Sequence, residues 1–100
     1  MRSDAVRLAT EAGALLGWSG PLVTGGLTCD DTQVGAGYGI PTPASEEATR
    51  LLGSTQGVVL DPFYTAKAVA GMLAWIRSGR VAAGDRVVFV HTGGHPALLA

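Results

Sequence analysis

The sequence is short of cysteine, of basic residues and of long apolar runs, and each shortage removes a class of function. A single cysteine, Cys29, can form neither an internal disulfide nor a multi-thiolate metal site, which fits a reducing compartment. With no partner in the chain it reads as a half-buried loop thiol. Seven Lys and Arg against eight Asp and Glu leave a net charge of -1, with a pI near 6.0. Nucleic acids and anionic membranes ask for a basic footprint, so neither is an expected partner. No apolar run reaches the length of a membrane span, and Asp4 and Glu11 interrupt the region where a signal peptide would lie. A cytoplasmic protein is the expectation. Charge is scarce too: 15% of the 100 residues are charged and 47% hydrophobic, with a mean hydropathy of +0.31. A free-standing domain of this size should carry more surface charge, so the excess points to faces covered by sequence beyond this chain.

What is present reads as helices and two short apolar runs. Ala5, Leu8, Ala9, Ala12, Leu15 and Leu16 recur at helical spacing behind a Ser3 or Asp4 cap, and Gly17 can end that helix. Residues 18–43 are rich in Gly, Thr and Asp, with short apolar pairs such as Leu22 and Val23, and read as loop with room for one short strand. Thr42 before Pro43 predicts an N-cap, with Glu46 and Glu47 in the first turn, a helix to about Leu52 and a stop at Gly53. Gly57 to Leu60 is an apolar run bounded by breakers, the pattern of a strand covered on both faces. Ala68, Val69, Met72, Leu73 and Ile76 then predict a helix over 64–78 with Gly79 at its C-cap. Arg86 to Val90 is a second β-branched run, and Pro96 opens an apolar helix ending at Ala100. Strand, helix and strand in this order predict an α/β fold with a right-handed parallel βαβ unit at the C-terminal end.

In such sheets ligands bind beyond the carboxyl ends of the strands. Two segments would meet there: Asp61-Pro62-Phe63-Tyr64-Thr65, and His91-Thr92-Gly93-Gly94. Hydroxyls, an aromatic ring and close-approach glycines around one crevice suit a flat aromatic ligand with a polar ring atom.

Three blocks are recognisable together: Gly37-Tyr38-Gly39-Ile40-Pro41, then Gly57 through Ala68, then His91-Thr92-Gly93-Gly94 with Pro96-Ala97-Leu98. In this order and spacing the chain resembles, from about Gly35 onward, the C-terminal part of the D-cysteine desulfhydrase and 1-aminocyclopropane-1-carboxylate deaminase family. The resemblance implies a fold-type II, tryptophan synthase beta-like parallel-sheet domain that uses pyridoxal phosphate on a small amino-acid substrate. It implies Tyr38 and Tyr64 as tyrosines that look onto cofactor and substrate, able to stack and to relay a proton. Thr65 falls where the desulfhydrases carry a small hydroxyl facing the pyridine nitrogen and the deaminases a glutamate. Thr92 falls where the desulfhydrases have threonine and the deaminases leucine. Gly93 and Gly94 match glycines that let backbone approach the cofactor.

A carboxylate at the ring nitrogen holds it protonated and deepens the electron sink, and a hydroxyl does so less. Both threonines therefore imply a desulfhydrase, turning D-cysteine into pyruvate, sulfide and ammonia. The alternatives are the deaminase, or a non-catalytic truncated module that pairs with a separate lysine-bearing chain. The family's Schiff-base lysine and phosphate-binding loop lie upstream of the matched region, and neither has a counterpart here. The expectation is a C-terminal portion of a lyase domain over residues 1–100, inactive alone, that homodimerises or associates with a missing N-terminal domain.

Other residues have plainer readings. Lys67, the only lysine, sits in helical context and is expected to extend to solvent. Asp61 before Pro62 reads as a turn residue, and Trp18 and Trp75 as packing residues. Glu46 and Arg50 form a helical i,i+4 pair. His91 and His95 stand four apart, but Gly93, Gly94 and Pro96 argue against the helix a metal pair would need, so no metal is expected. Gly25-Gly26 lacks the lysine and helix start of a phosphate loop. A small anion-binding module built on Gly93-Gly94 lacks nearby basic residues.

Overall fold

A computed structural model describes residues 1–22 and 24–99. Val23, half of the apolar pair with Leu22, and Ala100, the expected end of the last helix, lie outside the described residues. The chain divides into two compact units, 1–30 and 31–100.

The first unit is one helix and a loop folded back on it. α1 spans Arg2–Leu15 and begins before the expected cap: Ser3 and Asp4 lie inside its first turn, and no side chain caps Met1. The polar stripe explains the earlier start. Asp4, Arg7 and Glu11 stand at i, i+3 and i+7, with Arg7 bonded to Glu11 at 3.0 Å, and such pairs support exposed helix. Leu16 closes the helix and Gly17 takes the left-handed conformation at φ 74°, as expected. The loop returns through Arg2, whose guanidinium donates to the carbonyls of Leu27 and Thr24 at 2.6 and 2.8 Å. No α1 residue is buried, so the apolar face read from the sequence stays open. Trp18 is 63% exposed, although its ring lies across Gly13 and Gly20. Cys29 is exposed, not half-buried.

The second unit is organised by two helices packed on each other. α2 spans Pro43–Gln56. Thr42 caps it as expected, in a reciprocal arrangement with Ser45: each side chain accepts from the other's backbone N–H, at 3.1 and 2.9 Å. The stop is Gly57 at φ 65°, four residues beyond the expected Gly53. Glycine weakens a helix interior without forbidding it, and the αL turn is better satisfied where the chain must leave the helix. α3 spans Thr65–Arg77, with Gly79 just beyond at φ 78°, close to expectation.

Ala48 on α2, Ala66, Val69 and Ala70 on α3, and Leu60 between them form the buried core. Leu52, Val58, Met72, Leu73 and Phe89 pack around it. Small residues on both helices let the backbones approach closely. At the edge, Arg77 of α3 binds Glu47 of α2 through both guanidinium nitrogens, at 2.6 and 3.2 Å. The expected Glu46–Arg50 pair is not formed. Trp75 is half-buried beneath the Arg80 guanidinium, 3.7 Å from the ring centroid.

The expected parallel sheet is absent among the described residues. Residues 57–60 and 86–90 are neither helix nor strand, and no ladder joins them. β-branched runs fit a pleated, covered surface instead of carrying a backbone preference of their own, so without a pairing neighbour they form no strand. Val59, Val88 and Val90 are 55%, 87% and 72% exposed, which marks how little covers these runs here. Instead of an α-helix after Pro96, a 3-10 helix spans His95–Leu99. No described helix is long and apolar enough to cross a membrane.

Candidate active site

Asp61 organises the turn that starts α3. Its carboxylate is fully buried and accepts from the backbone N–H groups of Phe63 and Tyr64 at 2.8 Å each, and of Thr65 at 2.9 Å. The Thr65 hydroxyl donates to the same carboxylate at 2.6 Å and accepts from the Asp61 N–H at 2.8 Å. An aspartate followed by proline ends the preceding run and aims its side chain at the orphan N–H groups of the next helix. Burial pushes the Asp61 carboxyl up, but the Thr65 hydroxyl and the three backbone donors outweigh it and hold the pKa down to about 2. Asp61 is therefore a buried anion, satisfied on both oxygens.

This lock fixes what Thr65 can do. Thr65 is 1% exposed, and its one hydroxyl proton is given to Asp61. With one lone pair taken by the Asp61 N–H, the oxygen retains capacity only to accept.

The second predicted segment lies beside the first. A Cβ built on Gly94 would overlap the Asp61 carboxyl, so only glycine allows this approach, and its φ of 92° favours glycine as well. The His91 Nε2 bonds the Val59 carbonyl at 2.8 Å, while its Nδ1 accepts from the Gly93 N–H at 3.2 Å. Those partners place the imidazole proton on Nε2. His95 reaches the same Val59 carbonyl at 3.3 Å, with the two rings 5.0 Å apart. Both histidines thus tie residues 91–95 to residue 59. The Thr92 side chain is exposed. Gly93, at φ 97°, has open space where a Cβ would stand.

Tyr38 and Tyr64, distant in sequence, meet through their hydroxyls at 2.6 Å. Tyr38 also stacks on Phe63, with centroids 5.9 Å apart. Both phenols are exposed, and the Tyr38 hydrogen bond, then burial, then the Tyr38 and Asp61 charges push the Tyr64 phenol up. Lys67 does not run free to solvent as expected: its ammonium donates to the Val34 and Gly37 carbonyls at 2.7 and 3.0 Å.

Residues 5–93 match the family described as pyridoxal-phosphate dependent enzyme. The chain belongs to that family. It is similar to a protein named probable 1-aminocyclopropane-1-carboxylate deaminase from Schizosaccharomyces pombe, 33% identical over 99% of this chain and 29% of that protein. It is also similar to proteins named D-cysteine desulfhydrase from Salmonella newport and Salmonella heidelberg, each 47% identical over 70% of this chain and 21% of theirs. The chain therefore spans less than a third of the length of these relatives. Membership implies pyridoxal phosphate as the cofactor of the complete enzyme.

The residues present fit the ring end of that group. An unobstructed glycine backbone at Gly93 and two paired, exposed phenols are groups a polar aromatic ring can use, and they stand beside Thr65, whose buried hydroxyl oxygen keeps one acceptor lone pair. They do not fit its covalent end, because the chain's one lysine is held by two carbonyls. Sequence reasoning undervalued Asp61 and Lys67. Asp61 was legible in its spacing, an aspartate four residues before a helix-starting threonine; Lys67 carried no local signal, since its partners lie about thirty residues away.

Proposed function

We propose that this chain supplies part of the cofactor-ring face of a pyridoxal-phosphate-dependent lyase that acts on D-cysteine and releases pyruvate, sulfide and ammonia. The observation that carries the reading is the pair of threonines, Thr65 and Thr92, with the Thr65 hydroxyl proton committed to Asp61. The bound cofactor would supply an electron sink whose depth depends on protonation of its ring nitrogen. Thr65 would hold that nitrogen by accepting its proton in a hydrogen bond. A neutral oxygen stabilises a ring N–H less than a carboxylate does, which favours expelling a good leaving group such as thiol over opening a strained carbon ring. Tyr64, pushed up by Tyr38, stays protonated at neutral pH and acts as a donor to the departing group, with Tyr38 completing the relay. Gly93 would leave room for the ring, Gly94 lets its turn close on Asp61, and Thr92 would line the substrate side.

The deaminase is the second reading, favoured by the match to the S. pombe protein over nearly the whole chain. The test is a complete enzyme made by joining this chain to the lysine-bearing portion of a D-cysteine desulfhydrase. Sulfide from D-cysteine is expected to exceed ketobutyrate from 1-aminocyclopropane-1-carboxylate, with the ratio moving toward ketobutyrate in Thr65→Glu with Thr92→Leu. Faster ring opening than sulfide release by the unsubstituted enzyme would remove Thr65 as a specificity determinant.

A further inference from the structure

Lys67 lies in the first turn of α3, yet its ammonium reaches back to the segment that carries Tyr38. One of its acceptors, the Gly37 carbonyl, belongs to the peptide that joins Gly37 to Tyr38. Peptide planarity means that fixing this oxygen also fixes the plane from which the Tyr38 backbone starts. The segment has little stiffness of its own, because Gly35 and Gly39 sit at φ 70° and 73° and glycine loses more conformational freedom on ordering than other residues. The bonds at 2.7 Å to Val34 and 3.0 Å to Gly37 bracket it from the side of α3. On that helix's leading turn stands Tyr64, whose hydroxyl is 2.6 Å from that of Tyr38.

We propose that Lys67 is a positioning residue whose ammonium clamps residues 34–37 and thereby holds the Tyr38 phenol on the Tyr64 hydroxyl. The catalytic meaning of that pair rests on the function proposed above; the clamp itself does not. Its signature is spectroscopic. Tyr38 and Tyr64 are the chain's only tyrosines, so alkaline phenolate absorbance reads these two residues alone. Tyr64 faces Tyr38, Phe63 and the Asp61 carboxylate, and Lys67 stands three residues further along α3.

Two roles for Lys67 shift Tyr64 in opposite directions. If Lys67 acted only as a nearby cation, its removal would disfavour phenolate and move Tyr64 further up. If it positions Tyr38, its removal releases the hydrogen bond that raises Tyr64 and moves Tyr64 down.

The experiment is alkaline titration of the chain, with helicity followed by circular dichroism. Lys67→Met is expected to shift the upper phenol downward, and Lys67→Arg, which keeps a cation able to donate to both carbonyls, to hold it up. Tyr38→Phe should reproduce the downward shift, and adding Lys67→Met to it should lower Tyr64 no further. Lys67→Gln carries the same test should the methionine variant lose its helical signal. An upward or absent shift in a folded neutral variant overturns the proposal. No cofactor enters these samples, so failure here leaves the ring-binding reading standing, and failure of cofactor binding leaves the clamp standing.

Discussion

Asp61 stays ionised although fully buried, because four donors converge on its two oxygens. Its folded pKa of about 2 lies below the 3.8 of the free side chain, so its contribution is complete above pH 4 and fades as the pH falls toward 2. A shift of this size corresponds to about 2 kcal/mol. Urea unfolding of the chain and of Asp61→Ala should therefore differ most above pH 4, with the gap narrowing toward pH 2. A gap that stays constant over that range would contradict the assignment. The neighbouring glycines give a second residue-scale expectation. Ala at 94 meets both a positive φ and the Asp61 carboxyl, whereas Ala at 93 meets only the positive φ. Gly93→Ala should cost about 1 kcal/mol and Gly94→Ala clearly more, measured by thermal unfolding.

At the scale of elements, α2 offers a test of which glycine ends it. Gly53 lies inside the helix with nothing near the position of a Cβ, so Gly53→Ala should stabilise by roughly 0.5–1 kcal/mol. Gly57 holds the left-handed cap, so Gly57→Ala should destabilise by a similar amount. Equal effects of the two in chemical denaturation would place the helix end wrongly. The helices were legible because their signals are local: Thr42-Pro43 caps, Gly17 and Gly79 stop, and apolar spacing marks the face of α3 around Val69. The strands were not, because a strand is a relation between segments. Gly57 to Leu60 and Arg86 to Val90 carry the composition of covered strands without a described neighbour to pair with.

In the second unit as a whole, the candidate site was legible wherever chemistry follows residue type, and obscure wherever it depends on distant backbone. The juxtaposition of 61–65 with 91–94 came from topology alone, and it holds through Gly94 on Asp61 and His91 on the Val59 carbonyl even though no sheet among the described residues supports it. The roles of Asp61 as anion and Lys67 as clamp depend on acceptors and donors that no spacing rule announces. The same arrangement makes Lys67 a poor candidate for covalent cofactor attachment, since its amine is already engaged. Borohydride treatment of the chain with pyridoxal phosphate, followed by peptide mapping, should recover no specific adduct on Lys67.

The most direct measurement of the central claim is a titration of the isotope-labelled chain with pyridoxal phosphate, followed by amide and methyl NMR. Binding of the cofactor ring at this face predicts shifts concentrated on Tyr64, Thr65, Thr92, Gly93 and Gly94, weakened by Thr65→Val. Shifts confined to α1, or unchanged by Thr65→Val, would contradict it.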